Sequence, residues 1–372
     1  MNKKEIAEIR RLMTKDKVCL NRICGCYVAG EKEKITTFTE AFLSLRQEEA
    51  DRYLDIFKKA LTGTVGRNLV NLAFPLSAEE EGGAQRALMD LRAGSLKDEA
   101  CVQAFFDSVI EKWTHPENYL ILLADGTYDV PGRTTDGLEM EDASTDMYHF
   151  ILCALCSVSL SEGGLCYNGE TNQIEEAIRH YMVGRAEQAF LFPAFNDRAS
   201  DIHNVLYYSG DAREFSTDIT EELLGCGQPM PAPTQKETFR DAVEEALGDK
   251  ASLEMVCALH ENLNDMIEAG REEPDGVTIG QAEVRTLMER SGAPEAAIAH
   301  MEERFEADFG PKETLLADNI AEKRRFAVKT PDVEVKVTPE RAGLMEIREI
   351  EVERCLVIPI EGEVEVNGIT IG

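Results

Sequence analysis

YHFILCALCSVSL, residues Tyr148–Leu160, is the stretch on which the fold turns. Apolar side chains follow one another through it almost without a break. An amphipathic helix or a half-exposed strand would interleave polar residues at its own period. A run that is apolar on both faces of an extended chain belongs in the middle of a sheet, covered on both sides. Just upstream, NYLILLADGTYDV (Asn118–Val130) is also β-like, and its Asp125-Gly126 pair predicts a two-residue hairpin turn between two strands. Downstream, Gln188–Phe195 and His203–Tyr208 read as further strands, with Pro193 making the first an edge strand or bending it there.

Farther out the period changes. Upstream lie an amphipathic first helix with Ile6, Ile9, Leu12 and Met13 on one side, then ICGCYV and KITTFT as a hairpin around Gly30. Three helices follow, opened by Ser44 with Gln47, Ser77 with Glu80 and Ser95 with Asp98, the last ending near Trp113. CGQPMPAPTQ (Cys226–Gln235) reads as an extended linker. Beyond it helices are predicted at about 236–247, 251–270, 280–290 and 294–308. From Phe326 a period of two returns, with Asn367-Gly368 as a hairpin turn. The expected class is therefore α+β. It comprises a mixed region with antiparallel strands over 1–225, a Pro-rich linker over 226–235, an acidic helical module over 236–325 and a small antiparallel sheet over 326–372.

The 372 residues carry 70 acidic against 39 basic side chains, a formal net charge of −31, and residues 211–320 hold most of the excess. Such a surface repels phosphate backbones and anionic lipid, so neither a nucleic acid nor a membrane is expected as partner. The 43% apolar content supplies a core, so the charge is a solvated surface and not a sign of disorder. No run of eighteen apolar residues is present, and the opening segment reads as a helix and not a secretory signal. The ten cysteines read as reduced, mostly buried thiols of a cytoplasmic protein.

The densest polar cluster is the loop FNDRASDIH, which brings Asn196, Asp197, Arg198, Asp201 and His203 together between two apolar strands. A carboxylate, a guanidinium and an imidazole at a strand end are the groups that polarise a carbonyl, hold a phosphate or bind a divalent ion. The plainer reading is a turn in which Arg198 pairs with Asp197 or Asp201. Cys19, Cys24 and Cys26 lack the C-x2-C spacing of a zinc knuckle. Cys153 and Cys156, with His149 and Cys166 near in sequence, lie three apart on a strand and so face opposite ways. LTGTVGRNL (Leu61–Leu69) has two glycines but no Lys-Ser/Thr, so it reads as a helix end and a turn. His260 reads as a satisfied core residue on an apolar helix face. No metal ligand set and no cofactor are assigned.

Several segments together, among them MNKKEIAEIRRLMT, CGCYVAGEKEKI, LTGTVGRNLVNLAFP, FLFPAFNDRASDIHNVLYYS, LLGCGQPMPAPTQKETF and EVEVNGITI, resemble the bacterial family known as domain of unknown function 4317. The landmarks run in order over nearly the whole chain. The resemblance implies a free-standing cytoplasmic protein of anaerobic, Gram-positive bacteria and carries no catalytic residue, since the family has no assigned activity. The first functional expectation is a non-catalytic cytoplasmic binding or adaptor protein with a basic protein partner. The alternatives are a metal-dependent hydrolase using the Asp197–His203 loop, and a zinc- or redox-active thiol protein.

Overall fold

The run at 148–160 is strand, and that strand is the middle one of a seven-stranded antiparallel sheet. The computed structural model describes every residue except 15, 16, 18, 134–138, 274, 311–313, 323–325, 361, 363, 367, 368 and 372. The chain divides into two units, Met1–Pro231 and Ala232–Gly372.

The first unit runs α1 (Lys3–Arg11), β1 (Leu20–Val28), β2 (Lys34–Ala41), α2 (Gln47–Ala60), β3 (Leu69–Ala73), α3 (Leu76–Glu79), α4 (Ala84–Ala93) and α5 (Glu99–Lys112). It continues through β4 (Asn118–Arg133), β5 (Glu139–Leu160), β6 (Leu165–Asn168), β7 (Gln173–Glu176), β8 (Tyr181–Phe192), β9 (Ala194–Asn196), β10 (Ala199–Asp201) and β11 (Asn204–Ser209). The large sheet has the order β2-β1-β4-β5-β8-β11-β3. Alternation along β5 sends Ile151, Cys153 and Leu155 into a core shared with α4 and α5. Phe150, Leu152 and Ala154 enter a second core under α1 and α2. Helices thus cover both faces, which is why β5 has no polar face over this stretch.

No turn forms at Asp125-Gly126. β4 passes straight through, with Asp125 opposite Ile151 and Gly126 opposite Phe150. The glycine supplies room, because a Cβ at Gly126 would overlap the Phe150 ring. Gly25 opposite Phe38 repeats the device, an aromatic ring laid over a cross-strand glycine. Pro193 bends the chain between β8 and β9, yet β8 is an interior strand paired with β5 and β11, not an edge.

The helices differ at their starts. Asp98 caps α5, accepting from the amides of Ala100 (3.0 Å) and Cys101 (3.3 Å). Ser44 does not cap α2: its hydroxyl donates back to the Ala41 carbonyl at 2.7 Å inside a separate 3-10 turn. The Ser77 helix is the single turn α3.

The second unit contains α6 (Ala232–Leu247), α7 (Leu253–Ala269), β12 (Thr278–Ile279), α8 (Gln281–Arg290), α9 (Glu295–Phe309), β13 (Leu315–Leu316) and α10 (Ala317–Ile320). Phe239, Leu263, Leu287, Met301 and Phe305 form its core. α6 starts inside the proline tract, with Pro233 in its first turn, where no amide hydrogen is needed. The tail forms separate two-stranded ribbons: β14 (Phe326–Lys329) with β15 (Glu334–Val337), β16 (Glu346–Ile350) with β17 (Glu353–Val357), and β18 (Val364–Val366) with β19 (Ile369–Ile371). Among the described residues they do not merge into one sheet. β16 is exposed along its whole length and so has no covered apolar face to share. The Asn367-Gly368 pair lies outside the described residues.

Candidate functional site

The polar loop is a tight hairpin. β9 pairs Asn196 with Ala199, and Asp197 (φ 52°) and Arg198 (φ 57°) form its two-residue turn. Positive φ at both positions matches the twist of the flanking strands. Asp201 gathers three donors: the Asn196 amide nitrogen at 2.7 Å, the Asn204 amide nitrogen at 2.8 Å and the His203 backbone N–H at 3.0 Å. Burial pushes its carboxyl up, but these hydrogen bonds outweigh burial and leave it below the ordinary value. Asn196 also accepts from the Met1 amino group.

The other members point elsewhere. Arg198 pairs with neither Asp197 nor Asp201. Its fork grips Glu8 of α1, Nη2 to Oε1 at 2.8 Å and Nε at 3.1 Å to Oε2, while Nη1 donates to the Pro131 carbonyl at 3.1 Å. Tyr128 donates to the same Glu8 at 2.8 Å. Donating to the Glu8 carboxylate raises the Arg198 guanidinium further, and burial beside Glu8 raises the Tyr128 hydroxyl. The exposed His203 ring meets Glu79 of α3 at 2.6 Å, and that contact raises its pKa. Asp197 makes no side-chain hydrogen bond among the described residues. Asn196, Asp201 and the His203 backbone therefore come together, while the Arg198 and His203 side chains tie the hairpin to α1 and α3.

A second polar cluster escaped the sequence reading because Asp125 looked like a turn residue. Asp125 is only 2% exposed and sits on the α4/α5 face of the sheet. His149 Nε2 lies 2.5 Å from its Oδ1, and the Asn21 amide donates to its Oδ2 at 3.0 Å. Thr127 stands directly across from His149. Arg92 of α4 donates to the His149 carbonyl at 2.7 Å and reaches the Ser200 hydroxyl at 3.4 Å. Burying a carboxylate is costly unless it is paired, and here an imidazole and an amide supply the pairing. A carboxylate that orients an imidazole is an arrangement able to move a proton. The signal in sequence was present: Asp125 and His149 each interrupt a strongly apolar strand.

Seven of the ten thiols are buried, Cys101 and Cys355 are half-buried, and Cys166 is exposed. Cys24, Cys26 and Cys153 enter one core and Cys19 and Cys156 the other, so the 153/156 pair does face opposite ways. Burial raises Cys19 and Cys156 to about 12 and Cys26 to about 11, which disfavours thiolates. Among the described residues no group of three or more His, Cys, Asp or Glu is placed to hold a metal ion. In the Leu61–Leu69 loop the Gly66 amide donates to Leu69 at 2.8 Å and Asn68 to Ser209 at 3.0 Å, so the loop is a turn docked on β11. His260 is not fully satisfied among the described residues: its buried Nδ1 has no hydrogen-bond partner among them, its ring meets Phe326 edge-on, and burial lowers its pKa.

On the helices of the second unit Arg240, Arg285 and Arg304 are each shared among two or more acids. Arg285 alone meets Glu289 at 2.8 Å, Glu295 at 2.8 Å and Glu302 at 3.0 Å. Glu244, Glu303 and Glu306 stand exposed. Among the described residues no helix is long and apolar enough to cross a membrane. No curated protein and no solved structure matches the chain. A family model does match, over residues 1–369, and the chain belongs to that family, described as Domain of unknown function (DUF4317).

Proposed function

We propose that the protein is a non-catalytic cytoplasmic binding or adaptor protein that holds a basic protein partner on the carboxylate-rich helices of its second unit. The observation that carries this reading is the sharing of Arg285 among three carboxylates. Arg240, Arg285 and Arg304 are each paired with acids, while Glu244, Glu303 and Glu306 face solvent. A surface with surplus carboxylates favours encounter with a cationic face and disfavours other acids.

The test compares placement at constant charge. A fluorescein-labelled oligolysine peptide is titrated into the full chain, into the Glu244→Gln/Glu303→Gln/Glu306→Gln variant, and into a Glu31→Gln/Glu33→Gln/Glu81→Gln variant. Three exposed pairs correspond to about a tenfold loss of affinity in the first variant. The second changes net charge equally and should bind almost as the parent does. Equal losses in both variants would mean that the peptide reads only the total charge, and the helix-face reading would be wrong.

A further inference from the structure

Between Leu160 and Tyr181 the chain leaves the large sheet as a ribbon. β6 and β7 pair Leu165 with Glu176, Cys166 with Glu175, Tyr167 with Ile174 and Asn168 with Gln173. Opposite residues share a face, so Leu165, Tyr167 and Ile174 lie on one side together with Glu176, and Cys166, Asn168, Gln173 and Glu175 on the other. This is the alternation of a strand pair with one buried face. Yet Leu165 is 80%, Tyr167 62% and Ile174 65% exposed.

The stem shows where the bare face comes from. Val158 pairs with Val183 and Leu160 with Tyr181. Val158 is buried in the core covered by α1 and α2, while Leu160, Tyr181 and Val183 emerge from it uncovered. The ribbon is held in shape by its own bonds: Ser161 N–H to His180 O at 2.8 Å, Ala177 N–H to Gly164 O at 2.7 Å, and the Tyr167 hydroxyl to Asn172 at 2.6 Å. A two-stranded ribbon alone in water is marginal, and a contiguous apolar patch marks an interaction site.

Charge selects the occupant. The ribbon residues 161–180 hold four glutamates against one arginine, Arg179, which lies beside Gly163. A second copy would bring the same four glutamates and a further net charge of −31, and anionic lipid would be repelled in the same way. We infer that this ribbon face docks an extended protein segment whose apolar side chains are flanked by lysine or arginine. Leu165, Tyr167 and Ile174 are the anchors, Glu176 stands on the same face opposite Leu165, and Glu162 and Glu170 flank β6 in sequence. The inference rests on the reading of the chain as a binding protein, but uses a surface separate from the acidic helices.

Cys166, exposed on the opposite face, takes an environment-sensitive fluorophore without blocking the anchors. The labelled full chain is titrated with a peptide alternating valine and lysine, with its valine–glutamate counterpart, and with phosphatidylcholine vesicles, and its sedimentation is recorded across concentration. The lysine peptide should bind, and Leu165→Ser and Ile174→Ser should each weaken it by about tenfold or more without lowering the thermal midpoint. The glutamate peptide should give no response. The inference is overturned by equal binding of both peptides, by unchanged binding in the two serine variants, or by a dimer or vesicle binding that Ile174→Ser abolishes. The Glu244/Glu303/Glu306 glutamine variant should bind the lysine–valine peptide as the parent does. If it loses that binding while Ile174→Ser keeps it, the ribbon is excluded and the helices are not. If oligolysine fails on the helices while the ribbon binds, only the helix-face reading falls.

Discussion

Asp125 shows how one buried charge depends on its neighbours. Replacing His149 by alanine leaves the carboxylate with Asn21 as its remaining side-chain partner, and should lower stability by about 2–4 kcal/mol. Asp125→Leu/His149→Leu removes both polar groups and should recover most of that loss, as read from urea midpoints. If the single and double variants unfold alike, the pairing is not what holds this corner. Asp201 makes a pH prediction. Its folded pKa lies below the ordinary carboxylate value, so its contribution is present above about pH 4 and is lost as pH falls through the lower folded value. Thermal midpoints from pH 6 to pH 2 should therefore fall less in Asp201→Asn than in the parent. Thiol labelling gives a third check. Cys166 is exposed, while burial raises Cys19, Cys156 and Cys226 to about 12. The fastest labelling phase of the native protein should disappear in Cys166→Ser, leaving slower phases from half-buried Cys101 and Cys355; its persistence would mean that another thiol is as open as Cys166.

At the scale of elements, the Gly126–Phe150 pair carries the clearest prediction. Gly126→Ala forces its Cβ into the ring and should cost about 1–3 kcal/mol, and Gly126→Ala/Phe150→Leu should restore part of it. An unchanged urea midpoint in Gly126→Ala would contradict the packing described. The same pair explains what could be read from the sequence and what could not. The central strand, the β1–β2 hairpin and the four helices beyond Pro231 were legible, because their apolar periods are long and regular. Asp125-Gly126 was not legible: Asp-Gly is a hairpin signal only when nothing across the strand needs the glycine's space, and Phe150 is far away in sequence. Similarly, the 196–203 loop could be seen as polar, but Glu8 and Glu79 as the partners of Arg198 and His203 could not, because the fold brings them from distant segments. Cys153 and Cys156 were readable because strand alternation alone decides their faces.

For the whole molecule, the formal charge of −31 makes surface chemistry the dominant property. Association with a cationic partner should weaken steeply as salt rises, because exposed charges are screened over about 10 Å at 0.1 M. The apolar ribbon should retain a salt-resistant part of its binding, since burial of Leu165 and Ile174 does not depend on ionic strength. The two surfaces can therefore be told apart by salt alone. The measurement that tests the central claim most directly is hydrogen–deuterium exchange of the full chain with and without the oligolysine peptide, read segment by segment. The account predicts slower exchange concentrated in α6 and α9, which carry Glu244, Glu303 and Glu306, and lost at high salt. Protection spread evenly over both units, or none on these helices, would contradict it.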